Sequence, residues 1–231
     1  MSVLFTDYLK EKAADIREKN FIHPFVKGIV EGTLPFENFK YYILQDIYYL
    51  KHFGKVHALA ASQAEDFKVT SLLAEKAKFT AEAELTVHKE HAEILGITDE
   101  DMNNFKPAPA AYGYTSHLYR AAFTGRVGDT IAALYPCYWL YNEIGLHFTD
   151  AKPGIAIYQN WLNTYASEWF TSSVKAQEDL LNDLAKDASK KELERMAEHF
   201  VIACEYELAF WDMAWNMEKW PSETNALSLF K

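Results

Sequence analysis

Apolar residues recur every three or four positions along most of the chain, the spacing that gathers side chains on one face of an α-helix. The clearest apolar stripe runs from Phe39 to Val56. No alternating strand pattern bounded by turn dipeptides occurs in the sequence. The pattern therefore predicts an all-α helical bundle that forms one domain over residues 1–231, with helices at 5–20, 25–30, 35–56, 68–95, 112–123, 130–148, 155–170, 174–186 and 190–219.

Several local signals predict where these helices begin and end. The Thr33 hydroxyl is expected to cap the helix that carries Pro35 in its first turn. Gly32 and Gly96 are suited to the left-handed conformation at helix C-termini. The segment ITDEDMNNFKPAP, residues 97–109, is predicted as one long loop. Pro136 removes an N–H from the predicted helix 130–148, so a kink or break is expected there.

Composition narrows the functional classes. The formal net charge is −10 with no basic patch, which argues against nucleic-acid binding. Two cysteines cannot form a disulfide scaffold and favour a reducing compartment. The N-terminus resembles no signal peptide, and the apolar runs are too short to cross a bilayer. The sequence therefore predicts a cytoplasmic protein that binds neither nucleic acid nor membrane.

The common nucleotide-binding and serine-hydrolase motifs are absent from the sequence. None of the eight histidines has a glutamate three residues before it, so the usual di-iron pattern of helical bundles is absent too. Glu84, His88 and His91 share one helix face and could hold a metal ion. Surface charge pairing is the better interpretation of that trio, so no metal site is predicted.

Two carboxyl groups interrupt apolar helix faces. Asp46 falls within the stripe that contains Tyr49, and Glu207 lies between Cys204 and Trp211, whereas the neighbouring Glu205 points towards solvent. A buried carboxylate needs a protein partner or a ligand. A carboxyl group packed against aromatic rings has a raised pKa suited to proton transfer near neutral pH. A purely structural pairing of either acid is an equally open interpretation.

Cys137 lies in the segment ALYPCYWLYNEIG, on the same helix face as Tyr141. A lone cysteine among aromatic residues is usually a small core side chain, and no cation in this segment would lower its pKa. Cys204 is predicted to be structural. Tyrosines on the inner faces of several helices predict an aromatic-walled polar cavity for a flat ring, since buried hydroxyls need partners.

Four segments together resemble the TenA/thiaminase II family: QDIYYL (45–50), LYPCYWLYNEIG (134–145), YQNWLNTYASEWF (158–170) and EYELAFWDMA (205–214). Ile47 departs mildly from the family pattern, which often has an aromatic residue there. The resemblance implies a heme-oxygenase-like fold and a homotetramer. It also implies a hydrolase of thiamin salvage, which converts 4-amino-5-aminomethyl-2-methylpyrimidine, or thiamin, to the 5-hydroxymethyl pyrimidine.

The resemblance also implies roles for individual residues. Cys137 would be the nucleophile that adds to the pyrimidine ring, and Glu207 would donate and accept protons. Asp46 would bind a ring nitrogen and the exocyclic amino group. The remaining substrate-binding residues would be Tyr49, Tyr114, Tyr141, Tyr165 and Phe210. No metal or organic cofactor is implied.

Two other functions are compatible with this fold class. A haem protein would need an axial histidine, for which His23 and His57 are candidates. A non-enzymatic regulator would bind a thiamin-like pyrimidine without turning it over.

Overall fold

The computed structural model describes residues 3–224, with side chains described for residues 3–82 and 94–222. Every regular element in residues 3–224 is a helix, which confirms the all-α prediction. The helices are α1 (Phe5–Lys12), α2 (Ala14–Ile22), α3 (Pro24–Glu31), α4 (Phe36–Gln63), α5 (Phe67–Leu95), α6 (Asp99–Asn103), α7 (Pro109–Ala122), α8 (Val127–His147), α9 (Ala156–Ala166), α10 (Glu168–Lys186), α11 (Lys190–Asn216) and α12 (Pro221–Thr224).

Helix α8 is the centre of the bundle. It packs against α4, α7, α9, α10 and α11, and most of its side chains are buried. Gly145 permits the close approach of the α9–α10 junction, because a Cβ there would meet backbone atoms of Tyr165 and Ala166 at 2.5 Å. A helix that is apolar on nearly all sides is stable only in such a position. The apolar sequence of α8 therefore explains its central place.

Two of the three predicted helix-end signals are confirmed. Gly32 and Gly96 both adopt positive φ angles, 70° and 59°, at the ends of α3 and α5. The predicted Thr33 cap is wrong, because α4 starts after Pro35 without a side-chain cap. Instead, the Thr33 amide donates to the Gly28 carbonyl at 2.8 Å and so completes the end of α3. The residue at the N-cap position of α4 is Pro35, so Thr33 lies two residues too early for its hydroxyl to cap that helix.

Other predicted boundaries also need correction. Residues 5–20 form two helices separated at Ala13, and residues 155–170 divide at Ser167, whose hydroxyl caps α10. The predicted loop 97–109 contains α6, which is held by a capping box between Thr98 and Asp101. The expected break at Pro136 does not occur, since α8 continues through it. Burial on all sides holds α8 together despite the missing N–H.

In the described part of the chain, no helix is long and apolar enough to cross a membrane. The trio of Glu84, His88 and His91 lies outside the residues whose side chains are described.

Candidate active site

A cavity of about 480 Å³ opens between α4, α5, α8 and the α9–α10 junction. Four residues singled out from the sequence line it together: Asp46, Cys137, Tyr141 and Tyr165. A volume of this size is typical of a small-molecule site. The other lining residues are Leu50, Phe53, Lys76, Phe79, Thr80, Glu82, Tyr138, Thr164, Trp169, Phe170 and Ser173.

Helix α8 positions both its own cavity residues and Tyr165. Cys137 and Tyr141 are one turn apart and therefore share a face. The next residue is Asn142, whose side-chain amide donates to the Tyr165 carbonyl at 2.8 Å and to the Thr171 hydroxyl at 2.9 Å. These bonds tie the α9–α10 junction to α8, and the small Gly145 lets the junction approach closely. The segment around Cys137 thus fixes the positions of cavity residues on α8, α9 and α10.

Glu207 lies deeper in the bundle than the cavity-lining residues and is 2% exposed. The Tyr114 hydroxyl donates to its Oε1 at 2.6 Å. Burial raises the pKa of Glu207 to about 8; the nearby Asp46 also raises it, and the Tyr114 hydrogen bond opposes the shift. The group therefore holds a proton at neutral pH, as predicted for a carboxyl among aromatic rings. Glu205 is exposed, which confirms the contrast between the two neighbours.

The Cys137 thiol is partly accessible through the cavity. Burial raises its pKa well above the usual value, and the charges of Glu207 and Asp46 act in the same direction. Tyr49 has the opposite effect, since its hydroxyl favours the thiolate. That hydroxyl is buried and has no hydrogen-bond partner of standard geometry among the described residues. Cys137 is therefore a neutral thiol, next to a donor that can stabilise negative charge on sulfur.

Aromatic rings build the inner wall around these groups. Tyr49 lies between Tyr114 and Phe210, with ring centroids 4.8 and 5.9 Å away, and Tyr141 packs on Tyr165 at 4.7 Å. The structure thus brings all eight predicted site residues into one region. Four line the cavity directly, and the other four form the layer behind it: Tyr49, Tyr114, Glu207 and Phe210.

Sequence reasoning missed several residues of this region. The Trp161 indole donates to the Tyr42 hydroxyl at 3.3 Å, and Tyr42 donates to Tyr141 at 3.4 Å. Tyr42 belongs to the apolar stripe of α4, so its periodicity alone suggested simple packing. The cavity mouth on α5 and α10 was also missed, because a lysine or an aromatic residue at the border of an amphipathic helix is ordinary.

Both histidines of the haem alternative already have hydrogen-bond partners on both ring nitrogens. His23 accepts from the Phe25 amide and contacts Asp212. His57 is fully buried, and its Nδ1 donates to the Phe53 carbonyl at 3.1 Å. Its Nε2 therefore accepts from the Tyr138 hydroxyl at 3.3 Å.

Comparison with known proteins agrees with this geometry. The family model described as the TENA/THI-4/PQQC family matches residues 10–217. An aminopyrimidine aminohydrolase from Bacillus subtilis (strain 168) is 45% identical over 216 residues, which cover 94% of this chain and 92% of that protein. The solved structure of a TenA homologue from P. horikoshii OT3 matches with a TM-score of 0.84 and 30% identity, over 93% of this chain and 99% of the other.

A more distant structure shows the fold alone. A domain with a heme oxygenase-like fold from Shewanella denitrificans OS217 has a TM-score of 0.72 at 19% identity, with 94% of both chains covered. The predicted heme-oxygenase-like architecture is thereby confirmed. Because the family match extends over nearly the whole chain, the protein belongs to the TENA/THI-4/PQQC family.

Proposed function

We propose that this protein is an aminopyrimidine aminohydrolase of thiamin salvage. Its substrate would be 4-amino-5-aminomethyl-2-methylpyrimidine or thiamin, and its product the 5-hydroxymethyl pyrimidine. The observation that carries the proposal is the meeting of a thiol and two carboxyl groups, Cys137, Asp46 and Glu207, in one aromatic-walled region. The family and a relative named for this activity support it.

In this proposal the cavity binds the pyrimidine by shape and by polar contacts. The rings of Tyr141 and Tyr165 line the cavity and can cover the faces of a flat heterocycle. Asp46 lies on the same wall and accepts hydrogen bonds from the exocyclic amino group and a protonated ring nitrogen. A carboxylate can accept one hydrogen bond from the amino group and a parallel one from the protonated ring nitrogen, and the two bonds together fix the orientation of the ring.

The chemistry begins with proton transfer. A pyrimidine is a poor electrophile until a ring nitrogen is protonated, and Glu207 with a pKa of about 8 carries the necessary proton at neutral pH. The Cys137 sulfur then forms a bond to a ring carbon, and the thiol proton passes to the Glu207 carboxylate. Since the thiol is neutral at rest, sulfur addition and proton loss must be coupled. Tyr49 stabilises the negative charge that develops on sulfur.

The remaining steps reverse this addition. The bond between the exocyclic methylene and its amine breaks, and the amine leaves as ammonia with a proton from Glu207. Water adds to the methylene carbon and gives its proton to the Glu207 carboxylate. The carbon–sulfur bond then breaks, and the proton on the ring nitrogen passes to sulfur. The pyrimidine product thereby regains aromaticity. The covalent intermediate replaces one difficult displacement with easier steps.

Steady-state ammonia release tests the proposal. Wild-type protein should hydrolyse the aminomethyl pyrimidine, and Cys137→Ala should lower kcat/KM by at least about a hundredfold. The matched control is Cys204→Ala, since Cys204 is a fully buried thiol on α11. It should keep activity. Equal activity of both variants would overturn the nucleophile assignment, and tight pyrimidine binding without turnover would indicate the regulator instead. The kcat/KM ratio for the two pyrimidines identifies the preferred substrate.

The homotetramer, the cytoplasmic location and the single domain over residues 1–231 stay predictions. Sedimentation of the purified protein measures the first of these directly.

A further inference from the structure

The cavity has an outer half whose chemistry differs from that of its floor. Lys76 and Phe79 of α5 and Trp169 of α10 line the same cavity as Cys137 and Asp46. The rings of Phe79 and Trp169 have centroids 4.7 Å apart, although 41% and 50% of their respective surfaces are exposed. Two large aromatic side chains in contact on an open rim are typical of a surface that covers a ligand.

Among the described residues that line the cavity, Lys76 alone carries a positive charge. Its ammonium lies over the ring of Tyr138, 5.9 Å from the centroid. The side chain is half-buried; burial lowers its pKa, the charge of the exposed neighbour Glu75 opposes this, and no described carboxylate forms an ion pair with it. A partly desolvated ammonium is stabilised by an anion placed beside it.

Two acidic side chains line the described part of the cavity. Glu82 lies at the mouth, but its side chain is 61% exposed and pairs with Lys78 on the outside of α5 at 3.6 Å. Asp46 is on the neighbouring helix, α4, close to Tyr141 and Tyr165. A ligand that extends from Asp46 towards the mouth therefore meets Lys76 as the one cation among the described lining residues.

We propose that the outer half is a subsite for an anionic substituent on the leaving group, and that Lys76 binds that anion. The inference rests on the proposed function, because the leaving group is defined by the bond that is hydrolysed. The buried layer of Glu207 and Tyr114 closes the inner side of the cavity. The exposed rings of Phe79 and Trp169 mark the open side of the described lining, so a substituent on the exocyclic methylene can extend towards them and Lys76. The substrate class is a 5-aminomethyl pyrimidine whose amine carries a short chain with a carboxylate or phosphate.

The reaction of such a substrate balances without a further reactant. For the N-carboxymethyl derivative, water supplies the hydroxyl to the methylene carbon and the carbon–nitrogen bond breaks. The amine nitrogen takes a proton, so glycine leaves in place of ammonia. The other product is the same 5-hydroxymethyl pyrimidine.

A matched pair of substrates tests the subsite. The N-carboxymethyl and N-carbamoylmethyl derivatives have nearly the same shape, but only the first is an anion. Wild-type protein should favour the carboxymethyl compound by about tenfold in kcat/KM, the size of one charge-assisted hydrogen bond. Lys76→Met should abolish this preference and leave the neutral substrates within about threefold. Lys76→Arg should keep it, and Lys68→Met, at an exposed lysine two turns earlier on α5, should behave as wild type.

Three results would overturn the inference. Wild type could show no preference between the two derivatives, Lys76→Met could lower all rates equally because the lysine merely packs on Tyr138, or Lys68→Met could match Lys76→Met. Calorimetric binding of both derivatives measures the same preference without turnover. If the unsubstituted amine is not hydrolysed, the proposed function fails, while the binding preference still decides the subsite.

Discussion

Two carboxyl groups are buried to nearly the same extent in opposite chemical surroundings. Asp129 at the start of α8 is 1% exposed, and Glu207 in α11 is 2% exposed. Asp129 accepts from the Arg195 guanidinium at 2.6 Å, so its charge has a cationic partner. Glu207 has the uncharged Tyr114 as its partner and a pKa of about 8. Burial alone therefore does not mark a reactive acid, because the partner decides whether the group anchors the fold or holds a mobile proton.

The largest expected effect separates the two acids by activity. Glu207→Gln preserves the shape and still accepts from Tyr114, but it removes the transferable proton. We expect kcat to fall by at least about a hundredfold, as for the loss of a general acid–base group, with the free energy of unfolding nearly unchanged. Steady-state ammonia release and urea unfolding measure the two quantities.

The exposed neighbour provides the control for this variant. Glu205→Gln changes the same functional group on the same helix, but its side chain is in solvent. It should keep wild-type activity. If Glu207→Gln retained more than about a tenth of the activity, Glu207 would be a structural group like Asp129.

The second prediction concerns stability. Asp129→Asn leaves the Arg195 charge without its partner, and only 24% of the Arg195 side chain is exposed. We expect the free energy of unfolding to fall by about 2 kcal/mol, because an uncompensated, partly buried charge is left behind. Activity per folded molecule should be unchanged, since neither Asp129 nor Arg195 lines the cavity.

An exposed ion pair calibrates that measurement. Asp183→Asn breaks the ion pair with Lys186. Both side chains of this pair are about two-thirds exposed or more. Its cost in urea unfolding should stay below about 1 kcal/mol. If Asp183→Asn and Asp129→Asn lowered the free energy of unfolding equally, burial of the Asp129–Arg195 pair would make no extra contribution to stability.

The same pair of acids shows what sequence patterns reveal. Glu207 was found because a carboxyl in the middle of an apolar stripe needs a protein partner or a ligand. Asp129 was missed because an acid in the first turn of a helix is common there, where it favours the helix dipole. The helices, their apolar faces and the acids Asp46 and Glu207 were therefore predictable from local periodicity, whereas Phe210 and the roles of the site residues came from the resemblance to the family.

Features that depend on tertiary contacts were not predictable in this way. Thr33 completes the end of α3 instead of capping α4, and Pro136 is tolerated because the packing around α8 holds it. Lys76 sits at the border of an amphipathic helix, where a lysine is unremarkable until α10 places Trp169 across from the same helix. Thr33 bonds to the nearby Gly28, whereas for Pro136 and Lys76 the deciding partners are distant in sequence, and a single helical pattern contains no information about them.

The smallest expected effect concerns the hydrogen bond that distinguishes Glu207 from a fully isolated acid. The Tyr114 hydroxyl favours the carboxylate, so it lowers the pKa of Glu207 against the effect of burial. Tyr114→Phe removes that bond, and the pKa should rise above about 8. Because the acid form starts the reaction, kcat/KM of wild type should fall as the pH rises through about 8, and in the variant this fall should occur at higher pH.

Tyr114→Phe should also lower kcat by about tenfold, since one hydrogen bond that orients the acid is lost. Using one substrate for both proteins cancels the substrate's own titration from the comparison. A fall that moved to lower pH would mean that Tyr114 holds the neutral acid rather than the carboxylate. In that case the Tyr114 hydrogen bond would keep the proton on Glu207 instead of easing its release. Glu207 would then differ from Asp129 only because it has no cationic partner such as Arg195.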